Sequence, residues 1–202
     1  LFGAKKIFKD LSILQNDNIK VLPGPCMGRC QVAPTVCVGK NYIDNASSKA
    51  VINAINSNKF ESIIPNYINY KEYLSKGGYQ ISKKVKDNKI SKTDIINILN
   101  ESGLKGKGGA GFPTGKKWEI VSKFEGKKYI AINGDEGEPG TFKDRYYLEK
   151  DPHRFLEGLL IASDFINAHE VYIYIRDEYP SVIEILKKEI LILKKEKIIP
   201  EN

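Results

Sequence analysis

The stretch Lys127-Lys-Tyr-Ile-Ala-Ile-Asn-Gly-Asp-Glu-Gly-Glu-Pro-Gly140 decides the fold class. Its first six residues alternate and are β-rich, which predicts a strand over 127–132. The strand runs into a polar, glycine-bearing loop. A second strand is predicted at Val171-Tyr-Ile-Tyr-Ile175. Arg176-Asp-Glu-Tyr179 follows it, and Pro180 opens a long helix with Val182, Ile183, Leu186, Ile190, Leu191 and Leu193 on its apolar face. Between the strands, Asp151-Pro-His153 has the form of a helix start, with Asp151 at the cap and Pro152 in the first position. Phe155, Leu156, Leu159, Leu160, Ala162 and Ile166 give that helix its apolar side. Strand, helix, strand, helix predicts an α/β fold with parallel strands and a right-handed crossover. Loops 133–140 and 176–179 then fall at the same carboxyl edge of the sheet. Open α/β sheets place their ligands there, so these loops are expected to form a ligand crevice.

Upstream, Ser91-Lys-Thr-Asp94 predicts a helix start with Ser91 or Thr93 as cap. Ile95, Ile96, Ile98 and Leu99 are its apolar positions, and Gly103 is its stop. The helix delivers the chain into Gly103-Leu-Lys-Gly-Lys-Gly-Gly-Ala-Gly-Phe-Pro-Thr-Gly-Lys-Lys-Trp118, with six glycines and four lysines among sixteen residues. Bare backbone amides beside ammonium groups suit a phosphate or another anion. Two motif readings fail on context. Gly106-Lys-Gly-Gly-Ala-Gly111 has the letters of the dinucleotide fingerprint, but a helix rather than a strand precedes it. Residues 110–117 approach a nucleoside-triphosphate loop, but Lys117 stands where Ser or Thr would ligate Mg²⁺. What survives is an anion loop feeding a helix that begins near Thr114.

Asp135, Glu136 and Glu138 crowd three carboxylates into four positions. A solvated turn, a divalent-metal site, and acceptors for ligand hydroxyl or ring N–H groups are the competing readings. The lysine loop favours the third. His153 reads as a surface or capping residue, and His169 sits at the turn before the second strand.

The first twenty residues carry little signal. Cys26-Met-Gly-Arg-Cys30 places two thiols four positions apart on a turn, which suits metal ligation or two buried reduced cysteines equally. Cys37 lies in the apolar strand pattern Thr35–Val38 and reads as core. Ala46–Asn58 predicts a helix. Tyr67, Tyr70 and Tyr73 fall at a spacing of three and read as a packing stripe or a surface against a neighbouring domain rather than a cofactor box. The net charge of +7 is spread along the chain among acidic residues, which argues against a nucleic-acid surface. No apolar run reaches the length of a membrane span. Three clustered cysteines do not form a secreted disulfide framework, and the expected setting is cytoplasmic, with peripheral attachment to a membrane only through a complex. The chain begins with Leu1 and ends just after a helix pattern, which reads as a fragment.

Taken together, residues 106–118, Asn133–Thr141, Lys143-Asp-Arg145, Asp151-Pro-His153 and Tyr172–Arg176 resemble the flavin subunit of NADH dehydrogenases, the 51-kilodalton subunit of respiratory complex I. Relatives occur in NAD-linked hydrogenases and NAD-dependent formate dehydrogenases. The resemblance covers about 91–190. Pro25–Pro34 resembles the second half of a thioredoxin-like [2Fe–2S] ferredoxin, although the two further cysteines of that family do not precede Cys26. The fusion of the two looks most like the β subunit of a formate dehydrogenase. The implied division is a partial thioredoxin-like domain at 1–62, a helical connector at 63–90 and a Rossmann-like FMN/NAD-binding domain at 91–202.

The resemblance implies hydride exchange between NAD(H) and FMN, then single-electron transfer to iron–sulfur clusters in partner subunits. It assigns Gly106, Gly108 and Gly109 to the FMN loop, Lys117 to the flavin and phosphates, and Phe112 to the adenine of NAD. Asn133, Asp135, Glu136 and Glu138 are implied to hold FMN hydroxyls and the nicotinamide, and Tyr174, Arg176, Glu178 and Tyr179 to form the second loop. No general base is implied; Glu138 lies nearby. Cys26 and Cys30 are the candidate metal ligands. A [4Fe–4S] cluster belongs to a further C-terminal region of the family. Asp177 stands where the family has glycine. The alternatives are the flavin subunit of a respiratory NADH:quinone oxidoreductase or a soluble hydrogenase, a partner-docking remnant without flavin, and a phosphate-loop nucleotidase.

Overall fold

The computed structural model describes residues 3–107, 109–138 and 140–200. Gly108, assigned above to the FMN loop, lies outside them. In chain order the elements are α1 (Ala4–Ser12), β1 (Val36–Val38), β2 (Asn41–Ile43), α2 (Ser48–Asn56), α3 (Tyr70–Ser75), α4 (Gln80–Lys86), α5 (Lys92–Glu101), α6 (Thr114–Ser122), β3 (Lys128–Gly134), α7 (Lys143–Lys150), α8 (Pro152–Ile166), β4 (Ala168–Ile175) and α9 (Pro180–Lys195). They group into two compact units that interleave along the sequence. One is Leu1–Tyr67, Gly134–Lys150 and Ile175–Asn202; the other is Ile68–Asn133 and Asp151–Tyr174.

In the first unit, Ile7 and Leu11 stand one helical turn apart on α1 and are buried with Ala46 and Val51. Leu14, Val21, Val36, Val38, Ile43 and Ile55 pack around them. The antiparallel β1–β2 hairpin pairs Cys37 with Tyr42. Ser47 caps α2 by accepting from the Ala50 N–H. Helix α7 lies against α9, whose Val182, Ile185, Leu186 and Leu193 are almost wholly buried. Each such side chain contributes about 1.5–3 kcal/mol by leaving water. Cys37 is half-buried rather than a full core residue: its thiol donates to the Gly39 carbonyl at 3.0 Å. Burial raises its pKa, against the lowering pull of Tyr42 and Arg29.

The second unit is built on α8. Its Phe165 and Ile166 are buried with Val85 of α4 and Ile95 of α5. Trp118 of α6 meets Phe165 with ring centroids 5.5 Å apart. Ser91 and Asp94 form a full capping box at the start of α5. Strands β3 and β4 are hydrogen-bonded neighbours in a two-stranded parallel sheet. Ile130 of β3 turns toward the helices, while Tyr129, Tyr172 and Tyr174 are exposed.

One expectation is overturned in this unit. His153 is not a surface residue: it is 0% exposed. The start of α8 is covered by the rings of Tyr70, Tyr73 and Tyr79, and the Tyr79 hydroxyl is 2.7 Å from His153 Nδ1. Glu157, one turn further on, is also buried. It accepts from the Tyr73 hydroxyl (2.7 Å) and from the backbone N–H groups of Tyr79 (2.9 Å) and Ser82 (3.1 Å). A carboxylate here satisfies the open N-terminus of α4.

Candidate functional site

The glycine loop belongs to the second unit. It is a closed loop rather than a linker. Lys105 and Pro113 form an antiparallel bridge, Gly106 donates to the Phe112 carbonyl at 3.0 Å, and Thr114 donates to Leu104 at 2.9 Å. Beyond the pinch, a Cβ on Gly109 or Gly111 would meet nothing within 4 Å. Phe112 is 46% exposed, and Lys116 and Lys117 are exposed in the first turn of α6. Helix α6 has Pro113 at its cap and no side-chain cap bond, whereas α2 and α5 are both capped by serine. Its first N–H groups therefore add their positive end to the two ammonium groups. Gly115 has a different task. A Cβ there would lie 2.4 Å from Asn100 Oδ1 and 3.2 Å from Leu99 Cβ, so it lets α6 pack closely on α5. Asn133 and Tyr174, the other predicted site residues of this unit, are exposed near the carboxyl ends of β3 and β4.

The first unit holds the acidic loop and the loop after β4, and brings them together. Arg176 is the joint. Its guanidinium donates to the Glu136 carbonyl at 3.2 Å, to Glu178 at 3.0 Å and to the Cys26 carbonyl. The same Arg176 bond holds the Glu178 carboxyl below its usual range despite partial burial. Tyr179, 1% exposed, donates its hydroxyl to Glu136 Oε2 at 3.0 Å.

The Glu136 side chain is 0% exposed. It accepts from the Asp144 N–H at 2.8 Å and the Arg145 N–H at 3.1 Å, with Lys143 Nζ 3.5 Å away. It thus caps α7. Burial pushes its pKa up, but the two N–H groups, the Tyr179 hydroxyl and Lys143 outweigh that and hold it low. Its backbone sits at φ 47°, unusual for a non-glycine residue, and these four contacts over-determine it. Asp135 is half-buried, and Glu138 and Asp177 are exposed. The carboxylates thus divide: Glu136 shapes the loop from inside, and Glu138 is presented outward.

Cys26 and Cys30 are exposed free thiols. Both border an N-terminal cavity of about 530 Å³ lined also by Ile7, Phe8 and Leu11 of α1. Among the described residues no three His, Cys, Asp or Glu side chains are placed to hold a metal ion. An iron–sulfur cluster takes four protein ligands, so the described residues do not complete one. Sequence reasoning missed the roles of buried Arg145 and partly buried Arg29 around this turn. Arg145 is 5% exposed and pairs with Glu149 at 2.9 Å. Arg29 pairs with Asp44 at 2.9 Å. The i, i+4 spacing of Arg145 and Glu149 was the only sign, and exposed helix pairs have that spacing too.

The parallel sheet, with the glycine- and lysine-bearing loop before it in the same unit, has the form of an α/β fold of nucleotide-binding type. A family model, the Nuo51 FMN-binding domain, matches residues 99–199, and the chain belongs to that family. A NADH-quinone oxidoreductase subunit of Aquifex aeolicus is 48% identical over 131 residues, 65% of this chain and 30% of that protein. The like-named subunit of Escherichia coli is 44% identical over 110 residues, 54% of this chain and 24% of that one. The chain therefore spans less than a third of the length of these curated relatives. A solved structure of an NAD⁺-reducing [NiFe]-hydrogenase in its air-oxidised state matches with a TM-score of 0.73 over 96% of this chain and 38% of that one, at 21% identity. That likeness shows the fold. Among the described residues no helix is long and apolar enough to cross a membrane.

Proposed function

We propose that this chain carries the FMN- and NAD(H)-binding part of a multi-subunit oxidoreductase. The match of residues 99–199 to the FMN-binding family carries the reading, and the chemistry of the loops fits it. An uncapped helix N-terminus flanked by Lys116 and Lys117 suits a phosphate. Phe112, exposed on the glycine loop, suits an adenine ring. In this reading Gly106, Gly109 and Lys117 bind the FMN loop side, Asn133 and Asp135 hold ribityl hydroxyls, and Glu138 with Tyr174 and Glu178 meets the nicotinamide nucleotide. Glu136, Arg176 and Tyr179 act from beneath by fixing the loop. FMN, when bound, supplies the hydride chemistry. The protein's share is to bind, orient and exclude water, and no side-chain base is needed.

We assign residues 1–62 to a thioredoxin-like remnant, 63–90 to a connector and 91–202 to the flavin-family region. Its two thiols, Cys26 and Cys30, are assigned no electron step. The electron-accepting iron–sulfur subunits and the catalytic subunit are partners of the complex. Among complexes we favour an NAD-dependent formate dehydrogenase, on the fusion of a cysteine-turn segment to the flavin-family region; respiratory NADH:quinone oxidoreductases and NAD-linked hydrogenases are the alternative.

The test is an FMN titration of the purified chain, followed by flavin fluorescence. Saturable quenching is expected, and Lys117→Glu is expected to weaken it about tenfold or more, the loss of one charge-assisted phosphate contact with a repulsion put in its place. No quenching at any FMN concentration removes the flavin reading and leaves a docking remnant. Formate-dependent NAD⁺ reduction by the complex isolated with this chain separates the formate assignment from the alternatives.

A further inference from the structure

We propose that the Cys26–Cys30 turn is a positioning element for the acidic loop, with Gly28 and Arg145 as the residues that make it one. The observation is a closed circuit of contacts within one unit. Gly28 is buried, at φ 61°. A Cβ there would come within 2.3 Å of the Tyr179 hydroxyl and 2.7 Å of its ring, so the turn lies directly on Tyr179. Tyr179 donates to Glu136 Oε2. That oxygen also accepts from the Arg145 N–H, and the Arg145 side chain returns to the Gly28 carbonyl at 3.2 Å. From Gly28 the contacts run through Tyr179, Glu136 and Arg145 back to Gly28.

Two further braces parallel the circuit. Arg176 joins the Cys26 carbonyl to the Glu136 carbonyl. Arg29 reaches Asp44 and lies 3.9 Å from Glu149, which in turn holds Arg145 and accepts from Ser181 at 2.7 Å. Arg145 Nη2 and Arg29 Nε are buried without a hydrogen-bond partner among the described residues. Each of these nitrogens is thus kept out of water at a cost that the remaining contacts of its guanidinium offset. Bonds of this kind are directional, so a shift of the turn moves Tyr179 and Arg145 together. The Glu136 carboxylate loses its place when they move. Glycine is required at 28 on two grounds, the left-handed φ and the contact with the Tyr179 ring.

The proposal names an internal control of the site read above as the FMN and nicotinamide loop; only the flavin arm of the test rests on that reading. Hydrogen exchange of the full chain, without ligand, is measured for peptides covering 24–32 and 134–146. Gly28→Ala is expected to speed exchange in 134–146 about tenfold, the effect of losing one buried charge-assisted bond. Arg145→Lys keeps the charge but loses the fork, and is expected to speed exchange in 24–32. Tyr179→Phe keeps the ring on Gly28 and drops only the hydroxyl bond, so it should loosen 134–146 and leave 24–32 as in the native chain. Effects confined to the segment carrying each substitution overturn the proposal. Where Gly28→Ala does not fold, Arg145→Lys and Tyr179→Phe decide it.

The flavin arm compares FMN affinity of native chain and Gly28→Ala, with about a tenfold loss expected. Equal affinity overturns the proposal. A native chain that binds no FMN removes the flavin reading instead, and the exchange arm then decides the proposal by itself.

Discussion

Glu136 shows how one buried carboxylate fixes a loop. Its ordinary pKa is 4.5 and its folded value is lower, because two N–H groups, a hydroxyl and Lys143 favour the anion more than burial disfavours it. A depressed carboxyl contributes stability that is fully present above the unfolded value and is lost as pH falls through the folded one. Thermal midpoints of native chain and Glu136→Gln should therefore differ most near neutral pH and converge on acidification below about pH 4.5. A gap that stays constant with pH would sink this account.

Glu157 makes the complementary case in the other unit. Glu157→Ala leaves two N–H groups and the Tyr73 hydroxyl without this acceptor. A loss of about 3 kcal/mol or more is expected in urea unfolding, with Glu157→Gln milder because an acceptor oxygen remains. Neither role was legible in the sequence. Glu136 looked like one of three equivalent loop acids, and Glu157 carries no sequence signal that sets it apart from other helix glutamates. Which of two similar carboxylates is buried depends on donors far off in sequence: Tyr179 is 43 residues from Glu136, and Tyr79 is 78 from Glu157.

Elements with local signals were read well. Ser91 with Asp94 marks α5, Asp151-Pro152 marks α8, Pro180 marks α9, and alternation marks β3 and β4. Helix α1 was missed because it has only Ile7, Phe8 and Leu11 as large apolar residues and no capping side chain. Helix α3 is six residues long and rests on the tyrosine contacts rather than on propensity. The glycine loop was legible as a loop through its glycines, but not as a pinched one, because the Lys105–Pro113 bridge has no residue signature.

Packing between elements was also hidden, and Gly115 is the sharpest instance. Read among the loop glycines, it proves to be a contact point for α5. Gly115→Val should cost about 1–3 kcal/mol by overpacking against Leu99 and Asn100. Ser91→Ala should cost about 1 kcal/mol through the lost cap. Urea unfolding followed by Trp118 fluorescence measures both, since this tryptophan packs against Phe165 in the same unit. A Gly115→Val chain as stable as the native one would show that the helices separate at no cost.

At the scale of the whole molecule, the proposed flavin-domain boundary and the compact units divide the chain differently. The family match begins at 99, and the sequence suggests a flavin domain starting at 91. Yet both compact units draw on residues before 91. A fragment of residues 91–202 would lose Val85 from the core around Phe165. It would also lose Tyr73, Tyr79 and Ser82, which satisfy Glu157, and the rings that cover His153. From the other unit it would lose Gly28 and Arg29 of the cysteine turn, and Tyr67, which donates to the fully buried Glu189 at 2.6 Å. Burying Glu157 and Glu189 without these partners is unfavourable, so the remaining helices gain by loosening. The fragment is expected to keep far-UV helix signal, lose the near-UV signal of Trp118 and bind a hydrophobic dye, the signature of lost side-chain packing. Cooperative unfolding of 91–202 with a native Trp118 signal would show instead that the proposed boundary at 91 is also a folding boundary, and that the flavin-family region does not need the tyrosine cover or the cysteine turn.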